Sequence, residues 1–103
     1  MHGDQADTEP IWRAVRGRVA LVLAGHEHDS QRLKPRDGLV QLVAGAGRGG
    51  APLYPLRPDP RLPFGNARDL AAVRLTLTPG RARFAFIAAD GRRLDAGEVP
   101  CRR

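Results

Sequence analysis

Two short apolar runs, each ended by a glycine, constrain the fold of this chain more than any other feature. Residues 19–24 and 39–44 are almost wholly apolar, and Gly25 and Gly45 follow them directly. Runs of about six apolar residues between glycines are typical of strands that are buried on both faces, as in a parallel sheet covered by helices. The sequence therefore predicts two buried strands at residues 19–24 and 39–44.

Helix signals precede the first run, and hairpin signals follow the second. Residues 7–10 combine a capping side chain, an acidic first turn and an early proline, which predicts a short helix that Gly17 ends. From Val73 to Phe86, apolar and polar side chains alternate on both sides of a Thr-Pro-Gly turn at 78–80, which predicts an antiparallel hairpin. An Asp-Gly turn at 90–91 leads into a last strand around residues 94–99.

Five of the nine prolines lie between Pro52 and Pro63, so residues 52–63 are predicted to form a long surface loop. The element order is then helix, strand, strand, loop and meander. We therefore predict an α/β fold with one short N-terminal helix, two buried strands, the proline-rich loop and an antiparallel C-terminal meander. No internal repeat divides the 103 residues, which are enough for one small domain or part of a larger one.

The chain is basic, with 17 lysines and arginines against 11 acidic residues and a net charge of +6. Sixteen of the basic residues are arginines, Lys34 being the one lysine, and they are scattered along the chain. This arginine preference resembles the coding bias of a GC-rich genome more than a phosphate-binding stripe, so we expect no nucleic acid partner. The single Cys101 excludes an internal disulfide. No apolar run approaches the roughly 20 residues of a membrane span.

The Gly-His-Glu-His segment at residues 25–28 is the main candidate for chemistry. It directly follows the first predicted strand, and ligand groups in α/β sheets gather at the carboxyl ends of strands. Two histidines at positions i and i+2 of an extended segment point to the same side, where they can bind one metal ion or two adjacent ions. We expect Gly25 to allow the bend that precedes them. The alternative is a solvated loop in which His26 and His28 bind nothing.

A family resemblance centres on this motif. Residues 21–33 resemble the last metal-binding motif of the calcineurin-like metallophosphoesterases, the group that includes purple acid phosphatases. That motif is an apolar strand followed by Gly-His-x-His and commonly by an aromatic, an acid and an arginine. The similarity continues through residues 34–38, the second apolar run and the tail at residues 95–101, and so covers nearly the whole chain. Ser30 and Gln31 stand where the family often has tyrosine and glutamate.

The resemblance implies the C-terminal part of a metallophosphoesterase-type α/β sandwich. His26 and His28 would each ligate one ion of a dinuclear site of iron, manganese or zinc that hydrolyses a phosphate ester. His2 stands where the family often has a histidine near the substrate. The family's Asp-x-His, its Asn-His-acid motif and a further histidine ligand are not found in this sequence. Residues 1–103 are thus expected to be a single partial domain that needs its missing N-terminal half and is inactive alone. Similar family members are often exported.

The sequence also permits other functional interpretations. The chain could be a non-catalytic remnant that serves as a small binding or packing module, or an arginine-rich nucleic-acid binder. A mononuclear zinc site of His26, His28 and Cys101 would require the tail to fold back onto the first strand. Residues 45–50 satisfy Gly-x-Gly-x-x-Gly, but prolines at 52 and 55 prevent the helix that a dinucleotide site needs, so a structural turn is predicted.

Overall fold

A computed structural model describes residues 9–47, 53 and 62–101 of the chain. Within these ranges one helix and seven strands form two sheets. The elements in chain order are α1 (Glu9–Val15), β1 (Leu21–Ala24), β2 (Ser30–Arg32), β3 (Val40–Ala44), β4 (Phe64–Asn66), β5 (Ala71–Thr78), β6 (Arg81–Ala88) and β7 (Arg93–Pro100).

The first sheet has four short strands in the order β1-β3-β2-β4. β1 and β3 run parallel, with Leu21 opposite Val40, whereas β2 is antiparallel to both β3 and β4. A tight turn joins β2 to β3: Arg36 and Leu39 exchange backbone hydrogen bonds around Asp37 and Gly38, both of which have positive φ. An Asp-Gly pair suits such a two-residue turn because both central positions need the left-handed region.

The second sheet is the predicted meander, with three eight-residue strands in the order β5-β6-β7. Its two turns use Gly80 and Gly91, whose φ angles of 81° and 92° favour glycine. Alternation along β6 turns Phe84 and Phe86 toward the first sheet and Arg81 and Arg83 toward solvent. The meander therefore has one apolar face and one polar face.

The core forms where the two sheets pack together. Its fully buried members come from both sheets: Leu42 of β3, Phe84 and Phe86 of β6, and Val99 of β7. Phe86 also packs against Phe64 of β4, with ring centroids 5.2 Å apart. Such aromatic pairs contribute about 0.5–1.5 kcal/mol beyond their buried area.

Two polar contacts fix the periphery of this core. Arg32 of β2 donates from Nε to Asp95 Oδ2 of β7 over 2.7 Å, which links one sheet to the other. Helix α1 buries none of its residues. It is held by Arg36, whose guanidinium lies 4.9 Å from the ring centroid of Trp12 and donates to Glu9. A cation–π contact of this kind at an exposed site contributes about 0.5–1 kcal/mol.

The predicted α/β class is wrong. Strand makes up 51% of the structure and helix 9%, so this is a small β domain of two packed sheets and not an α/β sandwich. The first sheet packs on the second sheet, where a parallel sheet would have helices. β1 is an edge strand among the described residues, with Leu23 48% exposed, and is not buried on both faces.

The short N-terminal helix and the antiparallel meander lie where the sequence predicts them. The proline-rich loop at 52–63 lies largely outside the described residues. At seven residues α1 is far too short to cross a bilayer, and the described parts of the chain hold no other candidate span.

Candidate metal-binding site

The Gly-His-Glu-His segment forms a tight loop between β1 and β2. Two successive hydrogen bonds close it, each spanning two residues: the Glu27 amide donates to the Gly25 carbonyl over 2.9 Å, and the Asp29 amide donates to the Glu27 carbonyl over 2.8 Å. The loop begins at the carboxyl end of β1, which is parallel to β3. It therefore lies at the sheet edge where the sequence places the candidate ligands.

The bend in this loop occurs at a histidine. His26 has a φ of 74°, in the left-handed region, whereas Gly25 does not have a positive φ. The left-handed conformation in this loop thus falls on His26 and not on Gly25. A non-glycine residue in this region costs about 1–2 kcal/mol, and such strained positions cluster at functional sites. His26 is exposed and His28 is half-buried.

The loop rests directly on the glycine that ends β3. A Cβ added at Gly45 would lie 2.8 Å from the Glu27 carbonyl carbon and closer still to its oxygen, so no side chain fits there. The Gly45 amide donates to the Asp29 carbonyl over 2.9 Å. These two contacts hold the loop after β1 against the end of the neighbouring parallel strand.

Three consecutive polar residues after the histidines are buried. Asp29, Ser30 and Gln31 are 2%, 1% and 2% exposed. Gln31 Nε2 donates to Asp29 Oδ1 over 2.8 Å. Burial raises the pKa of the Asp29 carboxyl, the Gln31 hydrogen bond lowers it, and the neighbouring Glu27 raises it further. Among the described residues, the Ser30 hydroxyl and Gln31 Oε1 are buried without a hydrogen-bond partner.

The structure keeps His26 and His28 together on one loop but adds no third ligand. Within residues 9–47, 53 and 62–101, no group of three or more His, Cys, Asp or Glu side chains could hold a metal ion. Cys101 lies beside the turn between β5 and β6, where its amide donates to the Gly80 carbonyl. The other end of the meander contacts the segment after Gly45, through the Ala71 amide and the Ala46 carbonyl, so Cys101 is remote from the two histidines. His2 lies outside the described residues.

The donor chemistry of the loop fits part of a metal site. Neutral imidazoles suit iron, manganese and zinc, and the strained backbone at His26 fixes where one of them stands. Two histidines are too few for two ions, so further ligands would have to come from outside the described residues. The described residues therefore supply at most two imidazole ligands to a metal site.

Sequence reasoning missed the residues that support this loop. The sequence predicts Gly45 only as the end of a strand and gives no prediction of burial for Asp29 and Gln31. The signal for Gly45 was available, because glycines after neighbouring parallel strands mark places where two backbones approach closely. A short polar segment such as residues 29–31 gives no signal of burial.

The chain matches no protein-family model, and no curated protein matches it significantly.

Proposed function

We propose that this chain is the C-terminal part of a metal-dependent phosphoester hydrolase in which His26 and His28 are metal ligands. The observation that carries the proposal is the position of the Gly-His-Glu-His loop. The loop leaves the carboxyl end of β1 and rests on Gly45, at the carboxyl end of the parallel strand β3. This edge is where parallel strands present ligand groups.

The residues of the chain have separate roles in this proposal. The metals that these histidines would help to hold would supply Lewis acidity toward phosphate oxygens and a nucleophile from water. His26 and His28 bind through neutral ring nitrogens. Gly45 and the buried Asp29 are positioning residues, because they fix the backbone that carries both histidines. Ligands are oriented by supporting contacts of this kind in metal sites generally.

The outer edge of β1 supports the incompleteness of the domain. In the described part of the chain β1 pairs only with β3, and Leu23 within its apolar segment is 48% exposed. An apolar strand with an open edge is suited to receive a further strand. Such strands, together with the missing metal ligands, would come from the N-terminal half of the same domain.

The first test is the nucleotide sequence upstream of the Met1 codon, read in frame for several hundred bases. We expect an open frame that encodes the Asp-x-His and Asn-His-acid segments of the resembled family. An in-frame stop codon directly upstream would contradict the proposal.

The second test uses the protein with its upstream segments. His26→Ala and His28→Ala are expected to abolish metal content, measured by mass spectrometry, and hydrolysis of p-nitrophenyl phosphate. Gly25→Ala is the matched control, since a Cβ at Gly25 meets nothing within 4 Å and its φ is not positive. Normal metal content and hydrolysis in either histidine variant would refute the assignment of these ligands.

A second candidate is a non-catalytic packing or binding module. The observation that favours it is the core shared by the two sheets, because Leu42, Phe84, Phe86 and Val99 are buried within the described residues alone. This candidate predicts that the 103-residue chain is soluble, unfolds cooperatively and contains no metal. A chain that is insoluble without its upstream segments would contradict it.

A further inference from the structure

A shallow depression lies on the solvent side of the meander, formed by residues outside the histidine loop. Its volume is about 260 Å³, and Arg74, Arg83, Arg93 and Thr76 contribute to its lining. We propose that this depression binds a small multivalent oxyanion, represented by a short polyphosphate chain. The proposal is independent of the phosphoesterase assignment, because none of these residues belongs to the candidate metal-binding loop.

The register of the meander brings the three arginines together. Ala85 of β6 is opposite Arg74 of β5 and opposite Ala96 of β7. Arg83 is two residues before Ala85 on the same strand, and Arg93 is opposite Ile87, two residues beyond it. Strand spacing and rise place all three arginine Cα atoms within about 9 Å of the Ala85 Cα. The two alanines leave space between the longer side chains.

The charges on this face are unbalanced. The outward-facing positions of β5, β6 and β7 carry four arginines and one acid: Arg74, Arg81, Arg83, Arg93 and Glu98. Glu98 Oε1 accepts from Arg81 over 3.1 Å and from Arg83 over 3.3 Å. Within the described residues no carboxylate forms an ion pair with Arg74 or Arg93. Their guanidinium donors therefore remain available for an anion.

The residues on the solvent-facing side of the meander indicate which class of ligand it binds. Phe84 contributes to the lining but is only 4% exposed, and the outward positions of the strands carry no aromatic residue. Base stacking on exposed aromatics is what binds single-stranded nucleic acid to open sheet faces. The arginines surround a depression and do not follow a long groove. Several guanidinium groups around a small space can donate paired hydrogen bonds to an anion whose oxygens lie close together. Thr76 adds a neutral hydroxyl at the rim.

The test is isothermal titration calorimetry of the full chain with sodium tripolyphosphate at low ionic strength. We expect Arg74→Ala and Arg93→Ala each to weaken binding about fivefold, the upper range for an exposed ion pair. Arg13→Ala is the matched control, since it removes the same charge from an exposed position on α1. It is expected to leave the affinity unchanged. Circular dichroism verifies that each variant is folded.

A gain of affinity provides the sharper result. Glu98→Gln removes the carboxylate that holds Arg81 and Arg83, so we expect this variant to bind tripolyphosphate about twofold to fivefold more tightly. Absence of binding by the wild-type chain, or equal weakening by Arg13→Ala, would overturn the proposal. Tighter binding of a single-stranded oligonucleotide of the same charge would also overturn it, in favour of a nucleic-acid surface.

Discussion

Replacing Gly45 by alanine tests the contact that holds the candidate metal-binding loop. Gly45 ends β3, and its backbone lies against the carbonyl group of Glu27. An added Cβ would be 2.8 Å from the Glu27 carbonyl carbon, where ordinary contact begins at 3.4 Å. Both neighbours are backbone, so no flexible side chain can yield. The histidine loop and the segment that follows β3 must therefore move apart.

The cost has two parts. Inserting a methyl group into a well-packed site typically costs about 1–3 kcal/mol. Separation of the loops also weakens the hydrogen bond from the Gly45 amide to the Asp29 carbonyl, and a bond of this type contributes about 0.5–1.5 kcal/mol. Alanine also lowers the conformational entropy of the unfolded chain relative to glycine, which offsets about 0.4–1 kcal/mol of this loss in stability. We expect the free energy of unfolding to fall by about 2–3 kcal/mol.

Urea denaturation of the wild-type protein and of two glycine variants, each with any upstream segments that the open frame encodes, measures this difference. Gly47→Ala is the matched control, because a Cβ there would be 3.6 Å from the Ala71 carbonyl oxygen and its φ is not positive. The control is expected to be as stable as wild type or up to about 1 kcal/mol more stable. Equal stability of the two variants would show that the loop does not rest on Gly45 in solution.

Two further predictions concern the same loop. His26→Gly is expected to be about 1 kcal/mol more stable than His26→Ala, because both lack the imidazole and only alanine has a Cβ at this left-handed position. Equal stabilities of the two variants in urea would refute the left-handed backbone at residue 26. Asp29 has a raised pKa in the folded chain, so wild-type stability falls as pH rises from the unfolded pKa to the folded one. Asp29→Asn retains an acceptor for Gln31, and we expect this variant to be more stable than wild type at pH 7 but not at pH 3. A difference in the free energy of unfolding that does not vary with pH would contradict the raised pKa.

The elements that the sequence predicts correctly are those whose pattern reflects local chemistry. The hairpin of β5 and β6 alternates apolar and polar side chains, because one face packs on the core and the other faces solvent. The helix at Glu9–Val15 begins with an acidic residue and a proline. β2 and β4 could not be predicted, because three residues each give no periodicity and their position depends on pairing with distant strands.

The class was wrong because a continuous apolar run does not specify what covers it. The second run forms the strand Val40–Ala44, in which Leu42 and Val43 are buried, but the opposite layer is the meander and not helices. The candidate site was predicted in part: the histidine pair and its place at a strand end follow from the sequence. The strained φ at His26 and the burial of Asp29 depend on tertiary contacts, since Gly25 offered an easier bend and short polar segments are usually exposed.

The weak attachment of β4 determines how the domain opens. Within the described residues β4 joins its sheet only through β2, a three-residue strand that carries two buried polar atoms without partners. Each such atom costs about 1–3 kcal/mol. Local fluctuations should therefore separate β2 and β4 before β6, whose amides would show the strongest protection against hydrogen exchange. Because β2 begins where the histidine loop ends, the loop can be released by a partial opening that separates Phe64 from Phe86 but leaves Leu42, Phe84, Phe86 and Val99 packed together.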